Sequence, residues 1–214
     1  MAVITISRQL GSHGARIARS LAKELGYTFA DKNLIDRVIR QYGLTMLNSL
    51  YDKKPTIWDL FNENSAITIE MMNRTIAALA KHGDVVILGR GGFTVLHGMS
   101  DVLNVSVKAP QDVRAERIAR RDGIDNAAAL AKVTADDETR ARFVRLFYGR
   151  DLADESQFDL VVDSGNTSDA DAKAQIIAAL SKMKPAGPSD RTAARLEVDS
   201  VLSDTVDEAL TWLA

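Results

Sequence analysis

The stretch from Ala2 to Leu25, AVITISRQLGSHGARIARSLAKEL, decides how the rest of the chain is read. Val3, Ile4 and Ile6 form a β-branched run suited to a buried strand. Gly11 and Gly14 follow in a loop where backbone can approach a ligand with no Cβ in the way. Ile17, Leu21 and Leu25, with Ala18 and Ala22 beside them, then recur at helical spacing and predict a helix with one face to bury. A short loop feeding a helix N-terminus is a geometry that binds phosphate, because unpaired N–H groups and the positive end of the helix dipole aim at the same point.

The loop departs from the usual phosphate-binding pattern GxxxxGK[ST], whose lysine meets the β/γ-phosphates and whose hydroxyl meets magnesium. With Gly11, Ser12 and His13 in the tight turn, the lysine position falls on Gly14. Two other readings of these residues stay open: an ordinary strand–loop–helix corner and a dinucleotide site. Asp31, 20 residues past Gly11, favours the latter. Against it, the loop has GxxG where GxGxxG is needed, and its glycines begin five residues after Ile6.

Composition narrows the chemistry. The 214 residues are 46% apolar and 26% charged, enough for one sizeable core and ordinary for a globular protein. No run approaches a membrane span and no secretory leader is recognisable, so a cytoplasmic protein with no membrane partner is expected. The absence of cysteine excludes disulfides, thiolate metal sites and cysteine nucleophiles, and three scattered histidines argue against a histidine-rich metal site. A net charge of −2 argues against general nucleic-acid coating.

Further along, Gly26 ends the first helix, an extended piece at 27–30 leads to Asp31 and Lys32, and Leu34, Ile35, Val38 and Ile39 mark a second helix closed by Gly43. Residues 44–65, with Pro55, Trp58 and Phe61, read as a small mobile subdomain. A helix is predicted over 66–81. Val85-Val86-Ile87-Leu88 is a continuous apolar run, the mark of a parallel strand covered on both faces, and it delivers Gly89-Arg90-Gly91-Gly92 to the sheet edge where ligands bind. A strand over 102–107 precedes helices at 110–121 and 127–147. Between 114 and 150, nine Arg and Lys oppose six Asp and Glu, a local excess of +3 that suits a polyphosphate or an RNA strand. A solvated helix pair laced by contacts such as Asp136 to Arg140 is the competing reading. A strand over 158–163, a helix over 169–183, a linker at 184–189 and a terminal amphipathic helix running from Leu196 to Leu213 complete the chain. That last helix is expected to pack or to self-associate, the latter giving a homodimer.

Strands alternating with helices specify α/β architecture, a central parallel sheet between helical layers. The segments SRQLGSHGARIA, GYTFADKNLI, VVILGRGGFTVL, APQDVRAERIARRDGI, DDETRARFVRLFYGRD and FDLVVDS, in this order, resemble the cytidylate kinase-like proteins, a divergent branch of the P-loop nucleoside monophosphate kinases. The resemblance covers about residues 3–183. It implies a three-layer P-loop NTPase fold with a nucleoside monophosphate-type insertion at about 31–82 and an Arg-rich helical lid at about 110–150, in a unit over 1–184 followed by a linker and helix over 185–214. It also implies ATP phosphates on Gly11, Ser12, His13, Gly14 and Ala15 with Arg145 nearby, acceptor contacts from Asp31, Lys32 and Arg90, and Arg117, Arg121 and Arg140 as lid cations for the transferring phosphate. The branch typically reads GSGGREIA; this chain differs even from that at His13, Ala15 and Arg16. Arg8, Arg16 or Lys32 could replace the missing lysine, and Ser12 or Ser7 the magnesium hydroxyl. Leu88 carries no acid before Gly89, so the ion would need Asp31 or water held by more distant acids.

The expected activity is magnesium-dependent transfer of the ATP γ-phosphoryl to a small acceptor, with CMP or dCMP first, nucleotide substrates as partners and no nucleic acid expected. The alternative is a catalytically silent nucleotide-binding regulator, suggested by the absent lysine. A third reading, RNA on the lid, predicts affinity that falls steeply with salt.

Overall fold

A computed structural model describes residues 2–42 and 63–211. Five parallel strands, β1 (Val3–Arg8), β2 (Thr28–Ala30), β3 (Val85–Leu88), β4 (Val102–Lys108) and β5 (Leu160–Asp163), form one sheet in the order β2-β3-β1-β4-β5. The first strand is therefore the middle one. Val3 lies opposite both Val85 and Val102, and β3, paired on its two sides by β2 and β1, is buried along its whole length, which explains its continuous apolar run.

Side-chain alternation divides the core between the two faces. Ile4, Ile6, Val86, Leu88, Leu103, Val105 and Val107 pack with Ile17, Ala18 and Leu21 of α1 (Gly14–Leu25) and with Ala172 and Ile176 of α7 (Asp169–Ser181). Val3, Val85, Ile87 and Val102 face the opposite layer. There they meet α2 (Lys32–Gln41), α3 (Glu63–His82), the short α4 (Gly92–Val95), Phe143 and Val144 of α6 (Asn126–Tyr148) and α8 (Ser200–Thr211). The Arg-rich segment is a helix pair, α5 (Gln111–Asp122) against α6, sealed by Ala115, Ile118, Ala129 and Val133.

Two features differ from the pattern reading. The short α4 is not legible in Gly92–Val95. The terminal helix begins at Ser200, after a 3-10 turn at Ala193–Arg195 and an extended stretch. Its Leu202, Val206 and Ala209 are 1%, 1% and 0% exposed in the same cluster as Ile35 and Ile76, so this side of the helix packs against α2 and α3, while Val201 is 61% exposed. The subdomain expected over 44–65 lies, up to residue 62, outside the described residues, as do Gly43 and Leu213.

Candidate phosphate and acceptor site

β1 ends at Arg8, and the chain turns through Gly11 (φ +82°) and His13 (φ +59°) into α1. α1 is held to the sheet by Ile17, Ala18, Leu21 and Ala22, so its N-terminus is fixed at the carboxyl edge of the strands. Gly11 has no alternative. A Cβ there would stand 2.8 Å from the Arg114 carbonyl oxygen of α5, which passes directly behind the loop.

That helix and the turn after β5 hold the loop's carbonyls. Arg114, with its side chain 4% exposed, donates Nε to the Ala109 carbonyl (2.9 Å) and Nη1 to the Leu10 carbonyl (3.4 Å), and it forks onto Asp137 of α6 at 3.1 and 2.8 Å. Arg117 donates to the carbonyls of Gly11 (3.2 Å) and Ser164 (2.7 Å), and the Ser164 hydroxyl donates to the Ser12 carbonyl (2.6 Å). The Ser12 amide and hydroxyl both donate to the Gln9 carbonyl, at 3.2 and 2.8 Å. With the carbonyls occupied from behind, the amides of Gly11, His13, Gly14 and Ala15 have no protein acceptor among the described residues. Four donors at a helix N-terminus, fixed before any ligand arrives, make an anion cradle.

Beside the cradle a cavity of about 250 Å³ opens at the ends of β1 and β3. Arg8, Lys32, Arg90 and Arg140 supply cations to its wall, Asp136 and Thr139 supply acceptors, and Phe93, Phe143, Val144 and Leu152 supply apolar surface. Arg90 holds φ +54°, in the sparsely populated left-handed region, between Gly89 and Gly91, which are also left-handed. Its side chain is 8% exposed and lies 3.5 Å from Asp36 of α2. Tyr148 closes over Gly91, whose Cβ would stand 2.7 Å from the ring, and its hydroxyl donates to Asn73 (2.8 Å).

The structure thus brings together Gly11, Ser12, His13, Gly14 and Ala15 in the loop and Arg8, Lys32, Arg90 and Arg140 around the cavity. It places several other candidates elsewhere. Arg16, its side chain 65% exposed, is bound to Asp169 of α7. Arg121 is paired with Asp122 (2.6 Å), which together with Lys132 holds the Asp122 carboxyl far below its ordinary range. Arg145 is 71% exposed and 3.9 Å from Asp151. None of these three lines the cavity. Asp31 caps α2, accepting from the amides of Asn33 (2.9 Å) and Leu34 (3.2 Å), with Arg19 3.6 Å away. Arg117, expected on the transferring phosphate, instead braces the back of the loop. Ser164 and Asp36 were missed by the sequence reading. Only Ser164 carried a signal there, as the first residue after a strand at the ligand-binding edge.

A parallel sheet whose central strand feeds a glycine loop with outward amides at a helix N-terminus defines a P-loop NTPase fold. The same fold is seen in the crystal structure of an uncharacterized protein from Eubacterium ventriosum, with a TM-score of 0.70 at 19% identity over 85% of this chain and 99% of that one. The cytidylate kinase of Ignicoccus hospitalis is 35% identical over 167 residues, covering 77% of this chain and 90% of its own. That of Pyrococcus furiosus is 34% identical over 188 residues, covering 86% and 91%. The profile of the cytidylate kinase-like family matches residues 3–166, and the chain belongs to that family.

Proposed function

We propose that this protein is a nucleoside monophosphate kinase that transfers the γ-phosphoryl of ATP to a small nucleotide, with CMP or dCMP as acceptor. The observation that carries the reading is an amide cradle, its carbonyls braced from behind, next to a cavity whose wall holds four cationic side chains. Two polyanions must meet there against their mutual repulsion, and fixed amides and guanidinium groups offset it without reorganising during the reaction. The cradle amides of residues 11 and 13–15 would take ATP phosphate oxygens. Arg90 and Lys32 would hold the acceptor's monophosphate, and Arg140, on the α6 wall, would face the transferring group. Arg117 acts as a positioning residue for the loop.

Magnesium fits this site less well than phosphate does. No group of three His, Asp or Glu converges among the described residues, the Ser12 hydroxyl is committed to Gln9, and the Asp31 carboxylate caps α2. The ion suits the site as one that arrives on the nucleotide's own phosphates, and no step is routed through a protein cage for it. The silent-regulator alternative gains nothing from relatives that are named kinases. RNA on the lid is weakened because Arg114, Arg120, Arg121, Lys132 and Arg140 are each paired with a carboxylate.

A coupled ADP-release assay across CMP, dCMP, UMP and AMP tests the proposal. ADP release with a cytidine nucleotide is expected. No release above background with any of the four, together with no calorimetric binding of ATP or ADP, would overturn it.

A further inference from the structure

We propose that Arg8 is the principal cation of the phosphate site. It supplies from the end of β1 the charge that a phosphate loop ordinarily carries at the position occupied here by Gly14. What the cation does depends on the phosphotransfer reading above; where it sits is a matter of packing.

If Gly14 carried a Cβ, that atom would stand 2.5 Å from the Arg8 Cβ, 3.2 Å from its Cγ and 3.3 Å from the Ser12 hydroxyl. The aliphatic stem of Arg8 therefore fills the volume in which any side chain at position 14 would begin. At its far end the guanidinium lies against Gly89 (φ +72°), where a Cβ would stand 2.9 Å from Cζ and nearer still to Nη1. Two glycines, one opening α1 and one ending β3, thus form the walls of a single slot, and Arg8 runs through it. A lysine at position 14 and this course of Arg8 exclude each other. The absent lysine is in this sense a transposition: the charge has moved to the strand, and glycine at position 14 is the condition for it.

The transposed group suits its task. Arg8 lines the cavity together with Arg90 and Arg140 and begins the loop that carries the amides. Its guanidinium therefore stands between the ATP cradle and the acceptor cavity, across which a phosphoryl group would pass. A planar fork needs more room than an ammonium, and the missing Cβ atoms of Gly14 and Gly89 provide it. The rival on α1, Arg16, is held by Asp169 on the outer face.

The test is a charge swap using Arg8→Ala, Arg8→Met, Gly14→Lys and the double variant Arg8→Ala/Gly14→Lys. Each is assayed for ADP release with ATP and CMP, ADP binding by calorimetry, and thermal melting. Arg8→Ala should lose about 10²-fold in kcat and weaken ADP about tenfold or more. Arg8→Met, which keeps most of the stem between the two glycines, should match that loss with a wild-type melt. Gly14→Lys alone should be inactive through collision with Arg8, and the double variant should exceed Arg8→Ala by about tenfold or more in turnover. Wild-type turnover and ADP affinity in Arg8→Met would overturn the proposal, as would a double variant that melts normally yet does no better than Arg8→Ala. A wild-type protein that binds ADP through Arg8 but releases none from ATP with any acceptor would sink the kinase reading and support this one.

Discussion

His13 shows what the loop does to a single side chain. It takes a left-handed conformation at the start of α1, and its Nδ1 lies 2.9 Å from Arg16 Nη2 and 3.4 Å from the Asp169 carboxylate. Its pKa is held below the ordinary 6.5, first by burial and then by the charges of Arg117 and Arg16, with Asp169 pulling the other way. The unfolded chain therefore binds a proton at a higher pH than the folded protein does. The stability contributed by neutral His13 is full above 6.5 and is lost as pH falls below it through the folded value. Thermal midpoints measured between about pH 7.5 and about pH 5.5 should fall more for the wild type than for His13→Asn, a residue that tolerates the left-handed backbone. Equal falls would show that His13 does not drive the acid loss. A histidine in the loop was visible in the sequence. Its partner was not, because Asp169 is brought to it from the far end of the chain. Arg90 teaches the same lesson: a strand end followed by glycines marked the site, but the left-handed turn that buries the guanidinium near Asp36 is a product of packing.

At the scale of elements, α5 and α6 brace the loop as well as covering the site. The Arg114–Asp137 fork joins the two helices while Arg114 also holds the Leu10 carbonyl, so helix pairing and loop shape share one buried guanidinium. Asp137→Ala leaves that charge buried without its carboxylate. It should cost about 3–5 kcal/mol of stability and weaken ADP binding together with it, as urea denaturation and calorimetry would show. A stability loss with unchanged ADP affinity would mean that the loop does not depend on the fork. The sequence showed the arginine excess but could not separate a solvated face from a functional one, and both descriptions hold within a single helix pair. Arg120 and Arg121 are exposed and paired locally. Arg140 makes the i,i+4 contact with Asp136 that the plainer reading named, and both residues also line the cavity.

For the molecule as a whole, the C-terminal segment is part of the core. Asp101 accepts from the amides of Ala193 (2.7 Å) and Ala194 (3.1 Å), the Ser100 amide donates to the Arg191 carbonyl (2.9 Å), and Leu202 is 1% exposed. Leu202→Ala should therefore cost about 2–5 kcal/mol in a single cooperative transition followed by circular dichroism. A change under about 0.5 kcal/mol would mean that α8 contributes little to the fold. Composition marked residues 184–189 as a linker, yet nothing local could reveal that the chain beyond them returns to α2 and α3. By itself the sequence determined the layers. A short β-branched run bounded by turn residues reads as a buried strand, and a 3.6-residue apolar stripe reads as a helix docked on it. Those requirements are local and repeat along each element. The tertiary structure alone decided which guanidinium lies between Gly14 and Gly89, which carbonyls of the loop are held from behind and which helix closes the core. Each of these depends on volumes and directions shared by residues far apart in the chain, such as Arg8 with Gly89 and Ser12 with Ser164.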